Sequence, residues 1–145
     1  MAFRHCTPIQ IRFADLDALN HVNNANFLSY IELARIAYFQ QITGGDMGLG
    51  DEGLILAKAT VDFKQPIRLN DQIVVYTRCS KIGNKSFDLE YEILNEKGDG
   101  QKILMASAHT VIVCIDYTTG KTVAVPQAWR DKMIAYEAEG SIALS

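Results

Sequence analysis

The chain has 145 residues and a formal net charge of −3 at pH 7, which argues against a general affinity for nucleic acid. At this length we expect one domain spanning residues 1–145, and the apolar content of 48% is ordinary for a globular protein. No apolar run approaches the roughly 20 residues that cross a bilayer, and residues 1–7 lack the apolar segment of a secretory signal.

The N-terminal half predicts one strand, one long helix and a loop. Residues 7–13 alternate apolar and polar side chains, which favours a half-buried strand. A helix should follow from about Asn24 to Ile42. Gly44 and Gly45 should end it and open a mobile loop that runs to Gly53.

The C-terminal half is rich in β-branched and aromatic residues. It predicts strands at residues 54–64, 72–82, 86–95 and 101–116. Gly83 and Asn84 can supply positive φ values at one turn, and residues 97–100 and 116–120 have the composition of two more. Because these connections are short, each strand should run antiparallel to its neighbour in sequence. A final helix is predicted at residues 126–139, with Pro126 near its first turn.

The long helix carries apolar side chains almost all round: Phe27, Leu28, Tyr30, Ile31, Leu33, Ala34, Ile36, Ala37, Tyr38 and Phe39. A helix of this kind should be enclosed on several sides. The expected fold class is therefore α+β, with antiparallel strands curling around one central helix.

Acidic, imidazole and carboxamide side chains precede this helix: Asp15, Asp17, Asn20, His21, Asn23 and Asn24. At a helix N-terminus, free N–H groups and the positive end of the dipole stabilise developing negative charge. The segment therefore predicts a site for chemistry on a carbonyl group.

Several motifs together resemble the hot-dog fold thioesterases, in particular the 4-hydroxybenzoyl-CoA thioesterase-like branch, which hydrolyses acyl-CoA esters. They are Arg-Phe-Ala-Asp-Leu-Asp at residues 12–17, His-Val-Asn-Asn at residues 21–24, and a helix bearing Glu32 and Arg35. The resemblance resumes at residues 61–67, 70–71 and 82–87. It implies the hot-dog fold, an antiparallel sheet wrapped around one long central helix. Many members have Gly where this chain has Asn20, and since Asn tolerates a left-handed backbone we expect the same turn.

The resemblance implies that Asp17 is the catalytic carboxylate and that the backbone N–H at Asn24 receives the thioester carbonyl. Asp17 either activates water as a general base or attacks the thioester and forms a mixed anhydride, and the residues leave both routes open. Asp15 is expected to be mainly structural.

The other candidate residues have two interpretations each. His21 either orients the attacking water or is held structurally in the turn. Asn23 and Asn24 either donate side-chain amides to the thioester or cap the helix, and capping is favoured for one of them. Lys81 and Lys85 either bind the phosphates of coenzyme A or are solvated turn lysines.

A metal site is not predicted, and no cofactor is expected. His5 and His109 have no neighbouring ligand pattern, and a calcium loop at residues 15–20 fails because Leu19 occupies a ligand position.

Glu32 and Arg35, three residues apart on the helix, are expected to pair as a salt bridge. The three cysteines, Cys6, Cys79 and Cys114, contain no CxxC pair and suit free thiols in a reducing cytoplasm.

Two other functions fit the same sequence. The first is a dehydratase of the same fold that uses His21 and Glu32 on a β-hydroxyacyl thioester, and the second is a non-catalytic acyl-CoA-binding module. Release of free thiol from acyl-CoA esters distinguishes them from a thioesterase.

The resemblance also implies a homodimer whose sheets join and whose sites lie at the interface, often doubled to a homotetramer.

Overall fold

The structure is a computed structural model, and it describes residues 3–45, 50–137 and 140–144. The elements in chain order are β1 (His5–Ile9), a 3₁₀ helix (Phe13–Asp15), α1 (Asn24–Thr43), β2 (Glu52–Phe63), β3 (Ile73–Ile82), β4 (Ser86–Glu96), β5 (Lys102–Asp116), α2 (Gln127–Tyr136) and β6 (Ala143–Leu144). Residues 46–49 of the predicted mobile loop and residues 138–139 at the predicted end of the last helix lie outside the described residues. Among the described residues, no helix has the length and apolarity needed to cross a membrane.

The sheet has the strand order β1-β3-β4-β5-β2, and neighbours along this path are antiparallel. The short β6 pairs in parallel with β3. The predicted pairing of sequence neighbours is right for β3–β4 and β4–β5 but wrong for β2–β3. β2 instead lies at the far edge against β5, because β1 occupies the free side of β3. Residues 64–72 therefore cross from one edge of the sheet towards the other.

The first strand is shorter than predicted. It ends at Ile9, and Phe13 lies in the 3₁₀ helix with 80% of its surface exposed. The chain turns here because Asp15 donates its N–H to the carbonyl of Arg12 (2.9 Å) and its carboxylate accepts from the N–H of Arg12 (3.0 Å). The apolar-polar alternation of residues 7–13 continues past the point where these bonds end the strand.

The long helix begins and ends close to the predicted residues. Asn23 is its N-cap, with Oδ1 accepting from the N–H of Ala25 (2.9 Å), so the predicted capping by one of the two asparagines is confirmed. Gly44 follows the last turn with φ 69°, a left-handed conformation that glycine adopts without strain.

The helix packs on α2 and on strands β1, β3 and β4 of the sheet, and its other side is exposed. Its buried apolar residues are Phe27, Tyr30, Ile31, Ala34, Tyr38, Phe39 and Ile42. On the opposite side Leu28, Leu33 and Ile36 are 44%, 54% and 48% exposed. Enclosure on several sides is therefore wrong for the isolated chain, because the chain's own elements cover only one side of α1.

The C-terminal helix closes one end of the core. It is shorter than predicted, with Pro126 as the N-cap and with Trp129 and Met133 buried. Glu137, directly after the helix, is 4% exposed. Its Oε2 accepts from the N–H of Cys79 (3.0 Å) and from the hydroxyl of Tyr38. This carboxylate therefore ties the end of α2 to both α1 and the sheet.

The turns are predicted in the right places, but one has a different backbone. Gly100 and Gly120 have positive φ in the predicted turns. Gly83 and Asn84 do not, so their predicted conformation is wrong. Their turn closes with a hydrogen bond from the N–H of Gly83 to the carbonyl of Ser86 (2.8 Å).

Candidate active site

The loop between the 3₁₀ helix and α1 folds back on itself and holds Asp17. The Asp17 N–H donates to the carbonyl of His21 (2.8 Å), and Asp17 Oδ1 accepts from the N–H groups of Leu19 (2.9 Å) and His21 (3.3 Å). Asn20 has φ 62°, which confirms the left-handed turn expected there. Since both bonds to the carboxylate use Oδ1, Oδ2 makes no hydrogen bond to any residue that the structure describes.

A pocket of about 570 Å³ opens beside this loop, between the start of α1 and the end of β2. It is lined by Asp17, Leu19, His21, Val22, Asn23, Asn24, Phe27, Phe63, Lys64, Gln65 and Pro66. Phe27 and Phe63 meet edge to face, with their ring centroids 5.0 Å apart, and supply the apolar wall. Asp17 is exposed at this pocket. The arrangement, a polar rim around aromatic side chains, suits a ligand with one polar and one apolar part.

The first turn of α1 presents a free hydrogen-bond donor at the same pocket. Asn24 is the first residue of the helix, and its N–H donates to no residue that the structure describes. The N–H of the preceding Asn23 is occupied by the carbonyl of Asp15 (2.9 Å), and the N–H of the following Ala25 by the Asn23 cap. The Asn24 N–H is therefore the unpaired donor at the positive end of the helix dipole.

Asp15 is buried beneath the loop, with 2% of its surface exposed. Its carboxylate accepts from Arg12 Nη2 (2.9 Å) and Nε (3.1 Å) and from the hydroxyl of Tyr30 (2.8 Å). Burial alone raises the pKa of Asp15, but the hydrogen bonds from Arg12 and Tyr30 outweigh it, and the pKa lies below its ordinary value. Asp15 is therefore a charged structural centre, as expected from the sequence.

The remaining predicted residues lie in different places. His21 and Asn23 line the pocket together with Asp17 and Asn24. Lys81 is the last residue but one of β3 and Lys85 precedes β4, so both lie at the opposite end of the sheet from this pocket within the chain.

Glu32 does not line the pocket with His21. It is 63% exposed and forms the predicted ion pair with Arg35, at 3.8 Å. The guanidinium of Arg35 is buried and also donates to the hydroxyl of Tyr91 (3.4 Å). The two residues that a dehydratase would need are therefore apart.

Sequence reasoning missed two polar residues of the pocket, Lys64 and Gln65. The N–H groups of both donate to the carbonyl of Met105 (2.9 and 3.0 Å), which turns the chain over the pocket where β2 ends. The available signal was Pro66, three residues beyond the end of β2, because proline is disfavoured inside a sheet and so indicates that the strand ends before it. Within the described ranges, no group of three or more His, Cys, Asp or Glu residues is arranged to hold a metal ion.

Comparison with known proteins gives concordant matches. A sequence profile of the thioesterase-like superfamily matches residues 11–133. The long-chain acyl-CoA thioesterase FadM of Escherichia coli strain K12 is 27% identical over 133 residues, which cover 88% of this chain and 95% of that protein.

Solved structures agree with the profile. A thioesterase of Thermus thermophilus, crystallised with coenzyme A and Zn, is 35% identical with a TM-score of 0.77, and the match covers 92% of this chain and 94% of that one. The PA5185 protein of Pseudomonas aeruginosa strain PAO1 is 26% identical with a TM-score of 0.82, and the match covers 94% of each chain. The predicted hot-dog fold is confirmed, and the chain belongs to the thioesterase-like superfamily.

Proposed function

We propose that this thioesterase hydrolyses acyl-CoA esters to the free acid and coenzyme A, with Asp17 as the reacting carboxylate. The observation that carries the proposal is that a carboxylate oxygen and a helix N–H, neither bonded to any described residue, face one pocket with an aromatic wall. The names of the relatives support the same substrate class, since FadM is a long-chain acyl-CoA thioesterase and the Thermus enzyme was crystallised with coenzyme A.

The donor at Asn24 polarises the thioester carbonyl. Its N–H stabilises the developing negative charge on the carbonyl oxygen, and the helix dipole adds to this stabilisation. The thioester carbon then lies within reach of Asp17, which is held by the N–H groups of Leu19 and His21. The acyl group follows the aromatic wall of Phe27 and Phe63.

Two chemical routes use this arrangement. In the first, Asp17 removes a proton from water, the water oxygen bonds to the thioester carbon, and the carbon–sulfur bond breaks to release coenzyme A. In the second, Asp17 Oδ2 bonds to that carbon and releases coenzyme A as the thiolate, and water then cleaves the mixed anhydride and restores the carboxylate. Mass spectrometry of enzyme quenched in acid during the first turnover separates them, because only the second route adds the mass of the acyl group to the protein.

Asp17→Asn tests the assignment. We expect kcat to fall by about 10²- to 10⁴-fold, with substrate binding largely kept, because an amide neither takes up a proton nor attacks a thioester at neutral pH. Thiol release is followed with a thiol reagent on short, medium, long and aromatic acyl-CoA esters.

Asp99→Asn is the matched control. Asp99 Oδ1 accepts from the N–H of Gln101 two residues ahead (2.9 Å), as Asp17 Oδ1 does from Leu19, but outside the pocket. Wild-type turnover by Asp17→Asn would refute the assignment. An absence of thiol release by the wild-type protein, with retained ligand binding, would favour the acyl-CoA-binding module.

The assembly that we propose is a homodimer joined through β2. This edge strand pairs with β5 on one side only, and it exposes Ile55, Leu56 and Phe63 at 41%, 47% and 47%. An unpaired edge with exposed apolar side chains favours strand addition. Because Phe63 also lines the pocket, a partner at this edge would complete the site. A homotetramer would need a second contact surface on each chain. A fully active monomer, detected by light scattering, would contradict the proposed dimer.

Lys81 and Lys85 fit this assembly as ligands of the coenzyme A phosphates. In a two-fold pair joined edge to edge, opposite ends of the two sheets come alongside each other. One chain's pocket therefore lies near the end of the sheet that carries the partner's lysines. Replacing both lysines by Ala should raise KM without lowering kcat.

The three free thiols, Cys6, Cys79 and Cys114, suit a reducing compartment, and we expect the enzyme in the cytoplasm.

A further inference from the structure

Two hydrogen bonds from the body of α1 hold the loop that carries Asp17. The hydroxyl of Tyr30 donates to Asp15 Oδ2 (2.8 Å), and Asn26 Nδ2 donates to the main-chain carbonyl of Asp15 (3.0 Å). Tyr30 is 3% exposed and lies in the second turn of the helix, where its ring is fixed by packing. Both bonds converge on a single residue that stands two positions before Asp17.

The other bonds to Asp15 do not connect the loop to the helix body. Arg12 precedes Asp15 in the same loop, and its side chain is 71% exposed, so this ion pair shapes the loop itself and is partly screened by solvent. The bond from the Asn23 N–H reaches only the residue before the helix. Tyr30 and Asn26 are therefore the side chains that relate the loop to the rigid part of α1.

This connection joins the two halves of the candidate site. Asp17 lies on the loop side of Asp15, whereas the Asn24 N–H belongs to the helix. Any change in how Asp15 sits on α1 alters the position of the carboxylate relative to that donor. A displacement of about 1 Å between reacting groups lowers rates by about 10²-fold.

We propose that Tyr30 is a positioning residue, which acts through the Asp15 carboxylate to set the position of Asp17 relative to the Asn24 N–H. The inference rests on the proposed role of Asp17. Tyr30 does not line the pocket, so its effect on turnover passes through Asp15 and not through contact with the substrate.

Tyr30→Phe tests the proposal, because it removes one hydroxyl and keeps the buried ring. We expect kcat for acyl-CoA hydrolysis to fall by about ten- to a hundredfold while KM changes by less than about twofold. A residue that only stabilises the fold would leave the kcat of the folded enzyme unchanged at a temperature well below its unfolding transition.

Tyr76→Phe is the matched control. The Tyr76 hydroxyl donates to a carboxylate, Glu96 Oε2 (3.1 Å), but on the other face of the sheet, so its loss should leave kcat and KM unchanged. Asp15→Asn should reproduce the kcat loss of Tyr30→Phe. The double variant should be no slower than the slower single variant, because both changes act on one interaction.

The outcomes separate this proposal from the proposed function. If Asp17→Asn is inactive but Tyr30→Phe has the wild-type kcat, the positioning role is overturned and the function stands. If Asp17→Asn is active, the function fails whatever Tyr30→Phe does. A rise in KM at constant kcat would also overturn the positioning role. Should Tyr30→Phe not fold, Asn26→Ala removes the second bond to Asp15, and a kcat loss with an unchanged KM is again the supporting result.

Discussion

The carboxylate of Glu137 should be a large single contributor to the stability of the C-terminal helix. It accepts hydrogen bonds from the N–H of Cys79 and the hydroxyl of Tyr38, and both of these residues are fully buried. Burial and the adjacent Glu137 carboxylate raise the pKa of Tyr38, so its hydroxyl remains a donor across the range in which proteins are usually studied.

Glu137→Ala leaves both donors buried without an acceptor. Each unsatisfied buried donor costs about 1–3 kcal/mol, so the free energy of unfolding should fall by about 2–6 kcal/mol. That is a large part of the roughly 5–15 kcal/mol typical of a folded domain. Glu137→Gln keeps one oxygen acceptor but loses the charge and places an NH2 group where Oε1 is buried without a partner among the described residues, so its cost should be about 1–3 kcal/mol.

Urea unfolding followed by tryptophan fluorescence measures these differences. The chain has a single tryptophan, Trp129, which is buried in α2 against Phe39 and reports on the docking of this helix. Glu92→Ala is the control. It makes the same chemical change on the face of β4 that points away from the core, and it should lower the free energy of unfolding by less than about 0.5 kcal/mol. A Glu137→Ala protein as stable as the wild type, or a Glu137→Gln protein less stable than Glu137→Ala, would contradict this account.

Two more predictions concern stability. Gly44→Ala should lower the free energy of unfolding by about 1 kcal/mol, since Gly44 has φ 69°. Gly98→Ala is the control and should not destabilise the protein, because Gly98 has no positive φ and no atom of any described residue lies within 4 Å of the added Cβ. Urea unfolding of both variants measures the difference. Burial lowers the pKa of His5, so below about pH 6.5 the unfolded chain takes up more protons than the folded one. Stability should therefore fall as the pH drops from about 7 to about 5, and His5→Phe should remove that part of the dependence in thermal unfolding at both pH values.

Local patterns in the sequence predicted the elements better than their arrangement. The bounds of α1 and of strands β2 to β5 follow from side-chain periodicity and from Gly44, which act over a few residues, whereas β1 ends before its alternating pattern does. The pairing of β2 with β5 brings together segments about fifty residues apart, and no local signal distinguishes it from a hairpin with β3. The exposed face of α1 was not predicted either. The apolar composition of the helix indicates that something covers it, but not whether the surface that does so belongs to the same chain.

The candidate site divides in the same way. The sequence predicted Asp17, Asn23 and Asn24 together because they lie in one short segment with a recognisable order of residues, and all three line the pocket. Lys64 and Gln65 were missed because they reach the pocket only through the placement of β2 at the sheet edge. Asp15 was correctly taken as structural, but its link to Tyr30 required knowing which side of α1 faces the loop.

The two sides of the pocket are held together by contacts of different sequence separation. The bonds around Asp15 join residues 12–30, so this wall closes only short loops of chain and should organise early. Phe63 and Lys64 belong to the end of β2, whose pairing with β5 closes a much longer loop of chain and should come later. Ligand binding during refolding should therefore appear only after the loop and the first turns of α1 have acquired protection from hydrogen exchange.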